Sequence, residues 1–389
     1  MEYQRYQLRD IGDIVSGATP KTTVAENFGG AIPWLTPADL SGYTQKYISR
    51  GKRNLTQLGY DSCSTQIMPS GTVLFSSRAP IGYTAIAKNP ICTNQGFKSI
   101  VPKPFVNSEF LYYQLIYLRK TIQDMGSGTT FKEISAKKFG AVQVTIPPLV
   151  EQEHIISRIE ELFSQLDVSV NELKTAKERL KVYRQAVLKE AFEKVKVHIP
   201  FGKIIDARLG KMLDKEKNTG NYRKYLRNIN VRWFSFDLSD LLEMRIEDDE
   251  IEKYSVSHND LIICEGGEPG RCAVWDKHDS IFYQKALHRV RFLDNSNPKF
   301  YMYYLWFSAQ TGQLCRYFTG TGIKHLTGQS LSKVVVPKTD RPTQDSIVAE
   351  IESRLSVCDS IQKTVDTALQ EAEALRQSIL KKAFEGRLD

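Results

Sequence analysis

The stretch "YRQAVLKEAFEKVK" runs from Tyr183 to Lys196, and "LRQSILKKAFEGRLD" from Leu375 to Asp389. Arg184-Gln185 matches Arg376-Gln377, and Ala191-Phe192-Glu193 matches Ala383-Phe384-Glu385, each at an offset of 192 residues in a chain of 389. A repeat at fixed offset decides the architecture before any local reading does. The same offset holds upstream, where Gln152-Glu153-His154-Ile155-Ile156 faces Gln344-Asp345-Ser346-Ile347-Val348. "GSGTTFKEI" (126–134) faces "FTGTGIKHL" (318–326), with Gly128/Gly320, Thr129/Thr321 and Lys132/Lys324 in register. With small gaps, "IPWLTPADL" (32–40) echoes "RKYLRNINV" (223–231), and "GTVLFSSRAPIG" (71–82) echoes "NDLIICEGGEPG" (259–270). One unit is written twice. Its last third is similar in both copies and its first two thirds have diverged.

The similar parts read as long helices. From Glu151 to Glu193 there is neither Pro nor Gly. Ile159, Leu166, Leu173, Leu180 and Val187 recur in heptads, as do Ile351, Cys358, Val365, Ala372 and Ile379. The position three later, including Leu162, Ile361 and Leu375, is taken as the second row of a coiled-coil seam. Prolines 147, 148 and 342 stand ahead of the two runs, where a helix tolerates them. About 42 residues at 1.5 Å rise make a rod of ~63 Å, longer than a small domain needs. Each helix is the other's expected partner.

The divergent parts carry short alternating runs between Gly, Pro, Asn and Ser. "GTVLFSS", "GYTAIA", "FKSIVPK", "DLIICE", "CAVW" and "HRVRFL" read as strands. Residues 108–125 and 297–318 read as helices, and "VQVTI" and "VVVP" as closing strands. The expectation is an α+β fold. Two α/β heads with a curved or barrel-like sheet, residues 1–148 and 198–341, are each followed by a long helix, residues 149–197 and 342–389. The helices pack as an antiparallel coiled coil with pseudo-two-fold symmetry. Trp34 and Trp233 are assigned to the cores.

The net charge of +8 is unevenly placed. Residues 1–150 carry 16 Lys and Arg against 9 Asp and Glu, and residues 198–341 carry 22 against 18. Residues 151–197 are balanced at 9 and 9, and residues 342–389 carry 6 against 9. A polyanion is therefore drawn to the heads. No apolar signal region and no run of membrane-spanning length is seen, and the six cysteines show no metal-binding spacing. They read as reduced, mostly buried thiols of a cytoplasmic protein.

"NPKF" (297–300) is similar to the tetrapeptide with which adenine-N6 methyltransferases hold a flipped base. The repeat argues against that role. Its counterpart "NSEF" (107–110) keeps the Asn and loses the Pro, as a helix cap tolerates and an active site does not. No phosphate-cradling loop is found, nor any Gly-rich S-adenosylmethionine loop. Catalytic, cofactor and metal residues are accordingly assigned as none.

"GSGTTFKEISAKKFGAVQVTIPPLVEQEHIISRIEELFSQLD" (126–167) resembles the junction between recognition domain and helix in specificity subunits of Type I restriction-modification systems. "LRQSILKKAFEGRL" resembles that family's C-terminal helix end. The second junction, "VVVPKTDRPTQDSIVAEI", departs in having a single Pro after its strand and Thr343-Gln344 in place of Glu-Gln. The resemblance implies a non-catalytic subunit that binds double-stranded DNA at a bipartite, asymmetric site, one half per head. It implies two copies of a modification subunit that methylates adenine N6 with S-adenosylmethionine. It further implies restriction subunits that use ATP and Mg, and no membrane partner.

Groove edges are read by polar side chains and phosphates are held by Lys, Arg and hydroxyls. In the first head the candidate DNA contacts are Thr19, Lys21, Thr22, Ser76, Ser77, Arg78, Thr93, Asn94, Gln95 and Lys132. In the second they are Arg208, Lys211, Arg227, Asn228, Asn230, Arg232, Glu265, Gln284, Lys285 and Lys324. Each is weighed against a solvated or turn-stabilising role. As loops on a scaffold they favour binding. The rival readings are a coiled-coil scaffold with two protein-binding heads, and a single-chain DNA methyltransferase.

Overall fold

The computed structural model describes residues 4–388, apart from 79, 129–131, 215 and 217. It divides into two compact units, residues 1–172 with 367–389 and residues 173–366. Neither unit is simply one copy of the repeat. Each joins one head to the final turns of the other copy's helix.

In the first unit a five-stranded sheet runs in the order Gly12–Ser16, Lys98–Pro102, Val73–Phe75, Thr84–Ala87, Tyr47–Ile48. All its pairs are antiparallel except the last. A separate parallel pair joins Trp34–Leu35 to Cys92–Thr93. Gln4–Gln7 pairs antiparallel with Gln143–Ile146, so the start of the head is sewn to the strand that leads into the helix. The helix Ser108–Tyr117 opens on Asn107, whose Oδ1 accepts from the Glu109 amide at 2.8 Å.

Apart from two short two-stranded pairs, the strands of the second unit lie in two four-stranded sheets. One is Ile205–Leu209, Leu287–Phe292, Leu261–Cys264, Cys272–Val274; the other is Leu242–Ile246, Asn221–Leu226, Ile281–Tyr283, Ser255–Val256. Leu226, Ile262, Ala273 and Tyr283 pack in one buried cluster drawn from both sheets. The α+β head expected from the sequence is thus built on two packed sheets. Strands of two to six residues leave apolar faces that a second sheet covers. Asn297 caps the helix Pro298–Gln310 by accepting from the Lys299 amide at 2.9 Å. This is the capping role expected of "NPKF".

Two long helices follow the heads, Leu149–Glu193 and Arg341–Phe384. Gln152 and Gln344, on their first turns, are buried. Gln152 Oε1 accepts from the Asn107 amide at 2.8 Å, while its Nε2 donates to the carbonyls of Pro147 and Phe105. Gln344 Oε1 accepts from the Asn297 amide at 2.7 Å, and its Nε2 donates to the Thr339 carbonyl at 2.9 Å. In each unit one buried amide therefore ties the capping Asn of the head helix to the start of the long helix.

Within each unit the helices run antiparallel. Arg376 pairs with Asp167 in the first. In the second, Lys177 pairs with Asp366 at 2.7 Å, Arg184 with Asp359 at 2.6 Å, Arg354 with Glu190 at 2.9 Å and Lys194 with Glu350 at 3.0 Å. Ile159, Val187, Ile351, Val365 and Ile379 are buried, and Leu180 nearly so, as the heptad requires; Leu166 and Leu173 are half-buried. The second row is corrected. Ile361 and Leu375 are 44% and 50% exposed, and Leu162 is only half-buried. The row lies four residues after the first, through Phe163, Val170, Lys177, Arg184 and Ala191 and through Leu355, Gln362, Leu369, Arg376 and Ala383, all buried or half-buried. The charged members lay their stems along the seam and carry their heads to acidic partners. A count of apolar residues misses them for that reason.

The ends of the repeat close the units. Phe192 packs edge-on against Phe300 and Tyr304, at ring separations of 5.4 and 5.2 Å. Phe384 packs edge-on against Phe110 at 5.3 Å and stacks on Tyr117 at 5.6 Å. Each copy's closing phenylalanine thus sits against the head of the other copy.

Candidate nucleic-acid interface

Gly17 and Gly210 hold the same place in the two heads. A Cβ at Gly17 would lie 1.8 Å from the Thr93 carbonyl oxygen, and one at Gly210 would lie 2.3 Å from that of Tyr283. Only glycine lets the first loop cross the later strand so closely. The crossing gathers the loops. In the first head the Ala18 amide donates to the Thr93 carbonyl at 3.1 Å, and the Ser77 amide to the Gly96 carbonyl at 2.7 Å. The Thr19 hydroxyl donates to Gln95 Oε1. Arg78 faces Glu133 at 3.5 Å, and the Ile134 amide donates to the Ser77 carbonyl. The three candidate loops, at 19–22, 76–78 and 93–95, thereby meet, with Glu133 and Ile134 joined to the second of them.

Lys21, Thr22, Gln95 and Lys132 are exposed, and Thr19, Arg78 and Asn94 are half-buried. Thr129, Thr130 and Phe131, which precede Lys132 in sequence, lie outside the described residues. Ser76, Ser77 and Thr93 are corrected: all three are fully buried. Ser76 Oγ donates to the Pro80 carbonyl and accepts from the Tyr83 amide, so it shapes the loop from within. Composition alone cannot tell a loop's inner hydroxyl from its outer one.

In the second head the Lys285 amide donates to the Lys211 carbonyl at 2.9 Å, the Glu265 amide to the Ala286 carbonyl at 2.9 Å, and the Leu326 amide to the Glu265 carbonyl at 2.7 Å. Arg208, Lys285, Arg232 and Lys324 are exposed; Asn228, Glu265 and Gln284 are half-buried. Several charged heads are engaged internally. Arg208 reaches Asp206 at 3.2 Å, Arg232 reaches Asp237 at 3.5 Å, and Lys324 donates to the Gly320 carbonyl. Arg227 is half-buried and paired with Asp240 at 2.7 Å.

Lys211 and Asn230 are corrected. Lys211 is buried and its ammonium is gripped by Glu247 and Glu250. Burial works against its charge, but those two carboxylates outweigh it and hold the lysine above its ordinary value. Asn230 is buried, accepts from the Arg227 amide at 2.9 Å and donates to the carbonyls of Asp237 and Asp240. It closes a turn, as Asp39 does for Thr36 in the first head. Trp34 is buried, as expected, and donates to the Ala18 carbonyl. Trp233 is only half-buried, because its indole nitrogen reaches out to Glu268 at 2.9 Å.

Lys98 went unnoticed in the sequence. It is buried at the strand start beside the loop cluster, where the second head has His288. Burial pushes its ammonium below the ordinary lysine value, and Arg78 adds to the effect against the pull of Glu133. Its place in an apolar-looking strand, "FKSIVPK", hides it. Among the described residues no group of three or more His, Cys, Asp or Glu is placed to hold a metal ion.

This arrangement defines a class: proteins with two mixed α/β heads, each followed by a long helix. The proteins that the chain is similar to are Type I restriction-modification specificity subunits. Residues 1–178 match the family described as "Type I restriction modification DNA specificity domain". The chain is 47% identical over 153 residues to the Type I restriction enzyme MjaIX specificity subunit of Methanocaldococcus jannaschii, a match covering 38% of this chain and 35% of that protein. It is 25% identical over 353 residues to the EcoKI specificity subunit of Escherichia coli K12, covering 84% and 76%. A solved structure of a type I R-M system, described for its complex assembly and conformational transition, superposes at TM-score 0.79 and 18% identity, over 99% and 98% of the two chains. The HsdS subunit from Thermoanaerobacter tengcongensis gives 0.60 and 18%, over 99% and 97%.

Proposed function

We propose that the chain reads DNA for a Type I restriction-modification complex. Its heads, residues 1–148 and 198–341, each bind one half of a bipartite, asymmetric duplex site. The helical segments, residues 149–197 and 342–389, hold two modification subunits and position them for adenine-N6 methylation. Restriction subunits join for cleavage. S-adenosylmethionine belongs to the modification partner, and ATP and Mg to the restriction partner. The complex works in the cytoplasm.

The observation that carries this reading is the contrast between helices and heads. Asp167–Arg376 and Asp359–Arg184 are the same contact made twice. The matching loops of the heads, Thr93-Asn94-Gln95 and Tyr283-Gln284-Lys285, carry different side chains on the same crossing. Repeated contacts suit two identical partners. Divergent loops suit two different half-sites.

The test is co-expression with an adenine methyltransferase from the same genome, followed by methylation mapping. The expected result is a split motif, of which one half alone changes when residues 1–148 are exchanged. Methylation by the isolated, rigorously pure chain, or a change in both halves, overturns the proposal.

A further inference from the structure

The first head has a second basic feature, outside the candidate loops themselves. Residues 50–55 run antiparallel beside the strand Phe28–Ile32, with the Gly29 amide donating to the Asn54 carbonyl at 3.0 Å and Leu55 bridged to Phe28 and Ile32. Between them lies a cleft of about 680 Å³, walled by Gly29, Gly30 and Gly51 and by the side chains of Arg50, Lys52 and Arg53. All three basic side chains are exposed, and among the described residues none forms an ion pair. The Arg53 guanidinium lies over the Phe28 ring at 4.7 Å, which holds the cation beside the cleft. The neighbouring carboxylate, Asp39, is occupied by the Thr36 amide, the Thr36 hydroxyl and the Lys52 amide. Three unneutralised cations therefore border a cleft walled by side-chain-free backbone.

The same edge in the second head is built from the same topology and the opposite charge. There Leu242–Ile246 runs antiparallel beside Asn221–Leu226, with Asn221 opposite Ile246. Alignment of the two edges puts Glu243 where the first head has Lys52. From Asp240 to Glu252 the second head carries seven carboxylates against Arg245 alone. Two of them, Glu247 and Glu250, neutralise Lys211.

We infer that the first head carries a phosphate clamp, formed by Arg50, Lys52 and Arg53, that grips the sugar-phosphate backbone of duplex DNA and that the second head lacks. The inference rests on the DNA-binding reading above. The clamp is continuous with the candidate loops. Buried Asn27 donates through Nδ2 to the Lys21 carbonyl at 3.0 Å, and its own carbonyl accepts from the Thr56 amide at 3.0 Å. One residue thus joins exposed Lys21, through its side chain, to the end of the clamp strand, through its backbone carbonyl. Side chains that meet phosphates supply affinity and register without selecting sequence.

The experiment compares three full-length proteins on a random duplex of about 30 base pairs, by titration across a range of salt concentrations. They are the wild type, the triple variant Arg50→Ala, Lys52→Ala, Arg53→Ala, and a charge-matched control. The control is Lys120→Ala, Lys181→Ala, Lys189→Ala, whose lysines pair with Asp124, Glu178 and Glu193 on exposed helix surface. Each phosphate contact contributes about 0.9 to the slope of log affinity against log salt. The clamp variant is expected to lose roughly 2–3 units of slope and at least about tenfold in affinity at low salt. Its melting temperature and its methylated motif in the assembled complex stay as in wild type. An unchanged slope in the clamp variant overturns the clamp, as does an equal loss in the control. A wild type that does not bind the duplex even at low salt overturns the DNA-binding reading itself, and the clamp with it.

Discussion

Arg184 donates to Asp359 at 2.6 Å, and 192 residues on, Arg376 donates to Asp167. Partners and roles are exchanged: the arginine of each helix meets the aspartate of the other. That reciprocity defines an isologous contact, here built inside one chain. Arg184 Nη1 reaches a carboxylate that is 68% exposed, so the ion pair itself is weak. We expect a double-mutant cycle on Arg184→Ala and Asp359→Ala to give a coupling of about 0.2–1 kcal/mol that shrinks in high salt. Arg184→Met, which keeps the stem along the seam, should unfold at nearly the wild-type urea concentration.

Gln152 and Gln344 are a different matter, because each satisfies buried backbone groups. Gln152→Ala leaves the Asn107 amide and two carbonyls without their partner. The expected loss is about 2 kcal/mol, a fall of roughly 4–8 °C in melting temperature. Gln344→Ala should do the same in the other unit, and calorimetry reads both. A change below 1 °C in either variant would refute the bracing role.

Phe192 is almost fully buried among three aromatic rings, whereas Phe384 is half-buried. Phe192→Ala should therefore cost about 3–5 kcal/mol and Phe384→Ala about 2 kcal/mol. Urea unfolding measures the difference, and the reverse order would show that burial does not set the cost of losing each anchor.

His288 is buried and its Nε2–H donates to the Leu326 carbonyl at 2.8 Å. Burial holds its titration below the ordinary histidine value, against the opposing pull of Leu326 and Glu265. The unfolded chain therefore takes up a proton near pH 6.5 that the folded chain refuses. Stability contributed at His288 is intact above about pH 6.5 and falls as pH drops toward the depressed folded value. The urea midpoint should decline from pH 7.5 to 5.5, and His288→Gln should flatten that decline.

Lys21 and Lys211 are alike in sequence, each following the first glycine turn of its head, but one is exposed and the other buried, and they should behave oppositely. Lys21→Ala is expected to lower the salt slope of DNA binding by about 0.9 and leave melting unchanged. Lys211→Ala strands Glu247 beside Glu250 and should lower the melting temperature while leaving the slope alone. Equal effects on both readouts would show that burial does not separate them.

The repeat, the long helices, the capping asparagines and the place of each loop were legible because they depend on short-range chemistry: heptads, side-chain caps and glycine crossings. What escaped the sequence depends on which way a side chain points. Arg184 and Lys177 looked like surface charges and lie in the seam. Ile361 and Leu375 looked like seam and lie in solvent. Ser76 and Ser77 sit in the right loop but turn inward, and Lys98 hides in an apolar strand. The basic run Arg50-Gly51-Lys52-Arg53 was readable as charge, but its cleft forms only when it pairs with residues 28–32, more than twenty positions away.

Because Thr367–Asp389 packs with residues 1–172, the two units differ in when they can be made. The second unit is one continuous stretch, finished once Asp366 has left the ribosome. The first has its head synthesised earliest, yet Phe110 and Tyr117 wait for Phe384. Domains usually mature in the order of synthesis. Here the order inverts: the later unit matures first, and the earlier one stays open, with an aromatic surface unshielded, until Phe384 has been made. Nascent-chain proteolysis should find the second head protected while the first remains sensitive.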